Sequence, residues 1–135
     1  MRVDIEFPTT KQTELIDITG PVQDAVLDSG VSSGICALFV PHTTAGLLVN
    51  ENWDLTVKQD LLDTLERLVP WRANYAHTEG NAAAHIKSCL VGTSATLQVD
   101  EGHVDLGRWQ GVFFAEFDGP RQRRVWIRVI PDQVT

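Results

Sequence analysis

Gly34-Ile35-Cys36-Ala37-Leu38-Phe39-Val40, followed after five residues by Gly46-Leu47-Leu48-Val49-Asn50-Glu51, decides the fold of this 135-residue chain. The first run is apolar at both phases of a two-residue repeat. A strand of that kind is central and covered on each side, or lies at a subunit contact. The second run reads as its antiparallel neighbour, because so short a connection cannot make the crossover that a parallel pair needs.

Working outward, residues 2–7 and 13–18 alternate polar and apolar side chains and predict two strands joined as a hairpin. Thr19-Gly20-Pro21 then starts a helix, with Pro21 in its first turn, and Ser29-Gly30 ends it. On the other side, Asp54 is placed to cap a second helix. Leu55, Leu61, Leu62, Leu65 and Leu68 fall on its apolar face, and Pro70 stops it. A loop over 71–78 leads to a short helix over about 79–90, and strands follow at 95–99, 104–106, 112–118 and 123–130. This order predicts a single α+β domain over residues 1–135, with a largely antiparallel sheet and about three helices.

A 43% share of hydrophobic residues is enough to build a core, and the formal charge of −7 argues against general nucleic-acid binding. That charge still permits a small anionic ligand, because a local cluster of basic groups overrides the global sign. No apolar run is long enough to span a membrane, and the alternating N-terminus is no secretory signal. Cys36 and Cys89 are expected as free thiols of a cytoplasmic protein.

Chemistry-bearing side chains gather in three places. Pro41-His42-Thr43-Thr44 follows the central strand, where a rigid scaffold meets a free loop. His77, Asn81 and His85 surround a helix start, which is suited to an anion through its free amides and dipole, or to zinc through neutral imidazoles. However, seven residues between two histidines is not the spacing of a strong zinc motif, and Ala82-Ala83-Ala84 implies close packing. In the strand over 112–118, Phe113, Ala115 and Phe117 share one face, while Val112, Phe114, Glu116 and Asp118 share the other. Two acids on one face suggest either a strand running into water or a carboxylate pair at a cleft mouth, with Arg121 between them. Asn50 and Glu51 read as a turn before the helix or as ligand contacts, and Gln110 as a ligand contact or a turn residue. The four tryptophans read as packing or subunit anchors.

Three stretches together resemble the YjbQ family. They are Pro41-His42-Thr43-Thr44-Ala45-Gly46 with Asn50-Glu51-Asn52; His77 with Glu79-Gly80-Asn81-Ala82-Ala83-Ala84-His85-Ile86-Lys87; and Gly107 with Trp109-Gln110-Gly111 and Glu116-Phe117-Asp118-Gly119-Pro120-Arg121. The likeness runs from about Thr13 to Ile130, and it departs where Arg108 replaces the family's usual threonine. If that position touches ligand the site is altered; if it faces solvent nothing follows. The resemblance implies a compact α+β homotrimer, with pairing into hexamers open, whose polar clusters meet near subunit boundaries. It also implies a secondary, weak thiamine-phosphate synthase activity, which joins a pyrimidine pyrophosphate to a thiazole phosphate and releases pyrophosphate. For such chemistry His42, His85, Glu116 and Asp118 are the expected catalytic groups. Thr43, Thr44, Asn50, Glu51, Asn81, Gln110 and Arg121 are the expected substrate contacts. His42, His77 and His85 are the expected ligands of a divalent metal, Zn or Mg, with Glu116 or Asp118 as further holders. Lys87 and Arg121 are the only basic candidates near the phosphates. The alternative is a trimeric metal- or anion-binding protein without catalysis.

Overall fold

The computed structural model describes residues 1–133. Among them are eight strands and three helices, in the order β1 (Arg2–Pro8), β2 (Glu14–Asp17), α1 (Thr19–Ser29), β3 (Gly34–Phe39), β4 (Ala45–Glu51), α2 (Leu55–Leu68), α3 (Ala82–Val91), β5 (Ser94–Asp100), β6 (His103–Asp105), β7 (Gln110–Glu116) and β8 (Gln122–Pro131). They form two antiparallel sheets, one ordered β1-β8-β3-β5-β6 and the other β2-β7-β4. The α+β class and the helix count match the sequence reading.

Two expected pairings are corrected. β1 and β2 make no hairpin: β1 pairs with β8, with Ile5 opposite Val125, and β2 pairs with β7, with Leu15 opposite Ala115. Likewise β4 is not the neighbour of β3. It lies in the other sheet against β7, while β3 sits between β5 and β8. Alternation fixes which face of a strand is buried, but it does not fix which strand lies alongside.

The two sheets enclose the main core. Cys36, Leu38, Val125 and Ile127 from the five-stranded sheet meet Leu47, Val112 and Phe114 from the three-stranded one, with Val22, Ala25 and Val26 of α1 completing it. Phe7 of β1 and Phe114 of β7 meet edge to face across the sheets, their ring centroids 5.0 Å apart. A second cluster lies on the other side of the three-stranded sheet, where Leu15, Phe113, Ala115 and Phe117 are covered by Ala84 of α3 and by Leu61, Leu62 and Leu65 of α2. Leu55 and Leu68, expected on the buried face of α2, are exposed. Among the described residues the outer face of β3 is only partly covered, with Ile35 and Ala37 half-buried and Phe39 exposed beside Trp126.

Local signals set the helix ends. Asp54 caps α2 by accepting from the Thr56 amide at 2.9 Å. Asp17 accepts from Thr19 N at 2.9 Å ahead of α1, and Gly30 closes that helix in the left-handed conformation. Cys36 and Cys89 are free thiols, and burial pushes the Cys36 pKa up to about 11. No helix among the described residues is long and apolar enough to cross a membrane.

Three direct connections change sheet at one end of the molecule. Residues 9–13 lead from β1 to β2, residues 40–44 from β3 to β4, and residues 117–121 from β7 to β8.

Candidate functional site

The three connections are tied together by one buried ion pair. On β7, Val112, Phe114 and Glu116 share the inward phase, and on β8, Arg123, Val125 and Ile127 do. Both charged groups therefore enter the interior: Glu116 is 0% exposed and Arg123 2%. Arg123 Nε donates to Glu116 Oε1 at 2.8 Å, and its Nη2 pairs with Oε2. Glu116 also accepts from Thr9 Oγ1 at 2.7 Å and from the Asp118 amide at 2.9 Å. Arg123 Nη2 reaches Thr44 Oγ1 at 2.9 Å, and Thr9 Oγ1 accepts from the Arg121 amide at 3.0 Å. A buried pair is tolerable when its remaining lone pairs and protons are filled, and here each connection contributes a partner. Burial pushes the Glu116 pKa up, but the Arg123 guanidinium, the Asp118 amide and the Thr9 hydroxyl outweigh it and hold the carboxyl below its ordinary range.

Above this pair lies a cleft of about 360 Å³. One wall is Pro41, His42, Thr43 and Thr44; another is Glu79, Asn81 and His85 at the start of α3; the third is Asp118, Arg121 and Arg123. His42 Nε2 accepts from the Arg124 amide at 3.0 Å, so in the neutral ring the proton lies on Nδ1. Burial, then the nearby Arg123, lower the His42 pKa, with Arg124 and Arg121 adding to the effect and Glu116 opposing it. Asp118 Oδ2 accepts from Asn81 Nδ2 at 2.9 Å and from Arg121 Nη2 at 3.0 Å, while Arg121 Nε donates to the Asp118 carbonyl at 2.8 Å. Asn81 occupies the cap position of α3 without capping it, which leaves its amide to reach Asp118. Among the described residues no donor meets the buried Asn81 Oδ1. Gly119 is required in the third wall, because a Cβ there would strike the Lys11 carbonyl oxygen and lie 2.9 Å from Glu116 Cγ.

His85 also borders a second hollow, of about 370 Å³, lined by Tyr75, Ala76, His77, Ala82 and Ile86. The rings of His77 and His85 meet edge to face at 5.2 Å. Tyr75 is fixed by donating from its hydroxyl to the Pro70 carbonyl at 2.6 Å. A polar cleft and a largely apolar hollow therefore share one imidazole.

The cleft gathers His42, Thr43, Thr44, Asn81, His85, Asp118 and Arg121 of the expected site. Glu116, expected at the cleft mouth beside Asp118, lies beneath it. Arg121 does not bridge the two acids: each carboxylate has its own arginine. Asn50, Glu51 and Gln110 are elsewhere, at the opposite end of β4 and β7, about 20 Å along the strand at its ordinary rise. There Glu51 accepts from the Trp53 and Asp54 amides, Gln110 from the Gly107 amide, and Asn50 Oδ1 from the Glu51 amide. Arg108 is at that far end too, exposed and 4.8 Å over the Trp109 ring, so its replacement of threonine does not alter the cleft. Lys87 also points away from the cleft, to Glu66 on α2.

The three histidines expected as metal ligands are not gathered. His42 commits Nε2 to a backbone amide, and His77 lines the hollow rather than the cleft. Among the described residues no three His, Cys, Asp or Glu side chains form a group that could hold a metal ion. The residues present thus do not fit the Zn or Mg expected of them.

Sequence reasoning missed Arg123 and Thr9. The signal for Arg123 was available: a guanidinium on the apolar phase of one strand, and a carboxylate on the apolar phase of the strand before it, call for each other. Nothing in the sequence near Thr9 singles it out.

A family model described as UPF0047 protein YjbQ-like matches residues 3–132. A UPF0047 protein of Methanocaldococcus jannaschii is 48% identical over 95% of this chain and 93% of its own length. The UPF0047 protein YugU of Bacillus subtilis is 44% identical over 93% and 96%. Among solved structures, a YjbQ/UPF0047-family protein from Clostridium acetobutylicum superposes with a TM-score of 0.93 at 44% identity, covering 95% of this chain and 99% of that one. A YbjQ-like protein of unknown function from Sulfolobus solfataricus gives a TM-score of 0.94 at 32% identity, covering 98% and 97%.

Proposed function

The chain belongs to the YjbQ-like UPF0047 family, and from the geometry of its cleft we propose that it is an enzyme acting on a small phosphorylated metabolite that also carries an apolar ring. One observation carries this reading. Groups from segments around residues 42, 81 and 120 converge on one polar cleft, and that cleft adjoins a hollow walled by Tyr75, Ala76, Ala82 and Ile86. The thiamine-phosphate synthase activity implied by the resemblance falls in this substrate class, since both of its reactants join a heterocycle to phosphate.

In this reading Arg121 binds the departing phosphate. Two of its nitrogens are committed to Asp118, which fixes the plane of the guanidinium and leaves its remaining N–H groups for the anion. His42, held neutral with its proton on Nδ1, donates a hydrogen bond to the leaving oxygen and keeps its proton. Thr43 and Thr44 contact phosphate oxygens, and Asn81 Nδ2 holds Asp118 in place beside Arg121. His85 stands between phosphate and ring, beside the bond that changes. No step is assigned to a metal.

The test is pyrophosphate release from a pyrimidine pyrophosphate and a thiazole phosphate. His85→Ala is expected to lower turnover by about 10²–10⁴-fold without moving the unfolding midpoint. Turnover at the wild-type rate in that variant would remove the assignment.

A second reading has its own support. The strongest charges around the cleft already satisfy one another, Asp118 with Arg121 and Glu116 with Arg123, which suits a non-catalytic anion-binding protein. Thermal stabilisation by pyrophosphate, with no multiple turnover of any ring-bearing phosphate, would favour it. The proposal includes the homotrimer implied by the resemblance and a cytoplasmic location, with pairing into hexamers open. Its support on the chain is the exposure of Trp53, at 76%, with Leu55 at 71% and Leu68 at 69%. Sedimentation equilibrium tests the assembly directly.

A further inference from the structure

Lys87 stands on the buried face of α3 with Ala83, Ala84 and Ser88. Its side chain is 2% exposed, and Nζ donates to Glu66 Oε1 at 2.7 Å. Among the described residues that carboxylate is its only acceptor. An ammonium carries three N–H donors, so two of them are buried without a protein partner, an expensive condition unless something else accepts.

The pair borders a cavity of about 250 Å³ between α2, α3 and the connection from β1 to β2, and none of its lining residues belongs to the cleft. Two cations, Lys11 and Lys87, and two carboxylates, Asp63 and Glu66, stand around it, with Leu62 and Phe117 as apolar surface. The four charges sum to zero. A simple anion entering this space would meet Asp63 and Glu66, and a simple cation would meet the lysines. A molecule with one charge of each sign on an apolar body meets neither objection. Its carboxylate takes the spare Lys87 donors, with Lys11 alongside. Its ammonium takes Asp63, where Oδ1 holds Gln59 Nε2 at 2.8 Å and Oδ2 is free among the described residues. The volume lies just below the range of about 300–1,000 Å³ typical for drug-sized ligands, which suits a smaller occupant. We infer that this cavity is a binding site for a free α-amino acid with an apolar side chain.

Calorimetric titration of the full chain with L-leucine tests it. Saturable one-to-one binding is expected, with N-acetyl-leucine and leucine amide, each lacking one charge, weaker by at least about tenfold. Lys87→Met keeps the apolar stem and removes the donors, so it should abolish binding. Because Lys87 is buried and its variant can fail to fold, the exposed Asp63→Asn is the second probe, and it should weaken leucine by about tenfold. His85→Ala, in the cleft, should leave the titration unchanged. The inference is overturned if L-leucine, L-valine and L-phenylalanine give no saturable signal, if N-acetyl-leucine binds as well as leucine, or if Asp63→Asn has no effect.

Discussion

At one end of the β4–β7 pair Ala45 stands opposite Glu116, and at the other Glu51 stands opposite Gln110. Both ends carry acids, amides and turns, and both look like site material in the sequence. At the first, hydrogen bonds join residues far apart along the chain: Thr9 to Glu116 across 107 positions, Thr44 to Arg123 across 79. At the second, Glu51 and Gln110 bond to amides no more than three residues away. Local bonds close a turn. Remote bonds hold separate connections side by side, and the space between them becomes a cleft. Remote bonds occur at the far end too, from Asn52 Nδ2 to Asp17 Oδ2 at 3.4 Å and from the Val112 amide to Thr19 Oγ1 at 2.9 Å, but Glu51 and Gln110, the residues that look like site material there, take no part in them.

The sharpest way to break this comparison is Arg123→Met. It leaves Glu116 buried and uncompensated, and a loss of about 3–5 kcal/mol is expected in urea unfolding. The double variant Arg123→Met/Glu116→Leu should recover much of that loss, since an apolar pair of similar volume carries no desolvation penalty. If the single change costs under about 0.5 kcal/mol, the value of an ordinary surface substitution, the contrast between the ends fails.

Acid should act on the same end. The folded Glu116 pKa lies below its ordinary value of 4.5. Its contribution is therefore complete above that pH and is lost as pH falls through the lower folded value. His42 works in the same direction at higher pH. Its folded pKa lies below 6.5, so the unfolded chain takes up the proton first, and stability declines as pH drops below 6.5 toward the folded value. Unfolding midpoints measured from neutral to acid should fall in two stages, and His42→Asn should remove only the upper one. A single stage unaffected by His42→Asn would contradict this.

The smallest effects belong to the far end. Glu51→Ala, which frees two amides ahead of α2, should cost about 0.5–1 kcal/mol, the loss of a capping contact. Gln110→Ala should cost no more, and neither change should move pyrophosphate turnover or binding. A drop in turnover from Gln110→Ala, read by steady-state kinetics, would restore the far end as part of the site.

Much of the fold was legible because burial imposes a period. β1 was placed from alternation, β3 from its continuous apolar run, α2 from its leucines and Asp54, and the end of α1 from Gly30. Pairing was not legible. The apolar faces of β1 and β2 fit a hairpin as well as they fit β8 and β7, and only the closed sandwich decides between them. In the cleft, His42, Asn81, His85 and Asp118 were visible as polar residues at element ends. Glu116 was visible but misplaced, because a charge at the end of an apolar face reads as an exit to water until its counter-ion is found. Lys87 was misdirected for a related reason: its neighbours His85 and Asn81 belong to the cleft, while its own place on the helix turns it inward.

The contact between Phe7 and Phe114 gives the cleft a remote adjustment. Those rings are among the contacts that span the gap between the layers, and the three connections at the cleft each start in one layer and finish in the other. A slimmer side chain at position 7 would let the layers settle together and draw the walls inward; a bulkier one would part them. The mouth of the cleft is thus a gauge of sandwich thickness, and an engineer could retune ligand size from the hydrophobic interior, leaving every residue that faces the ligand in place.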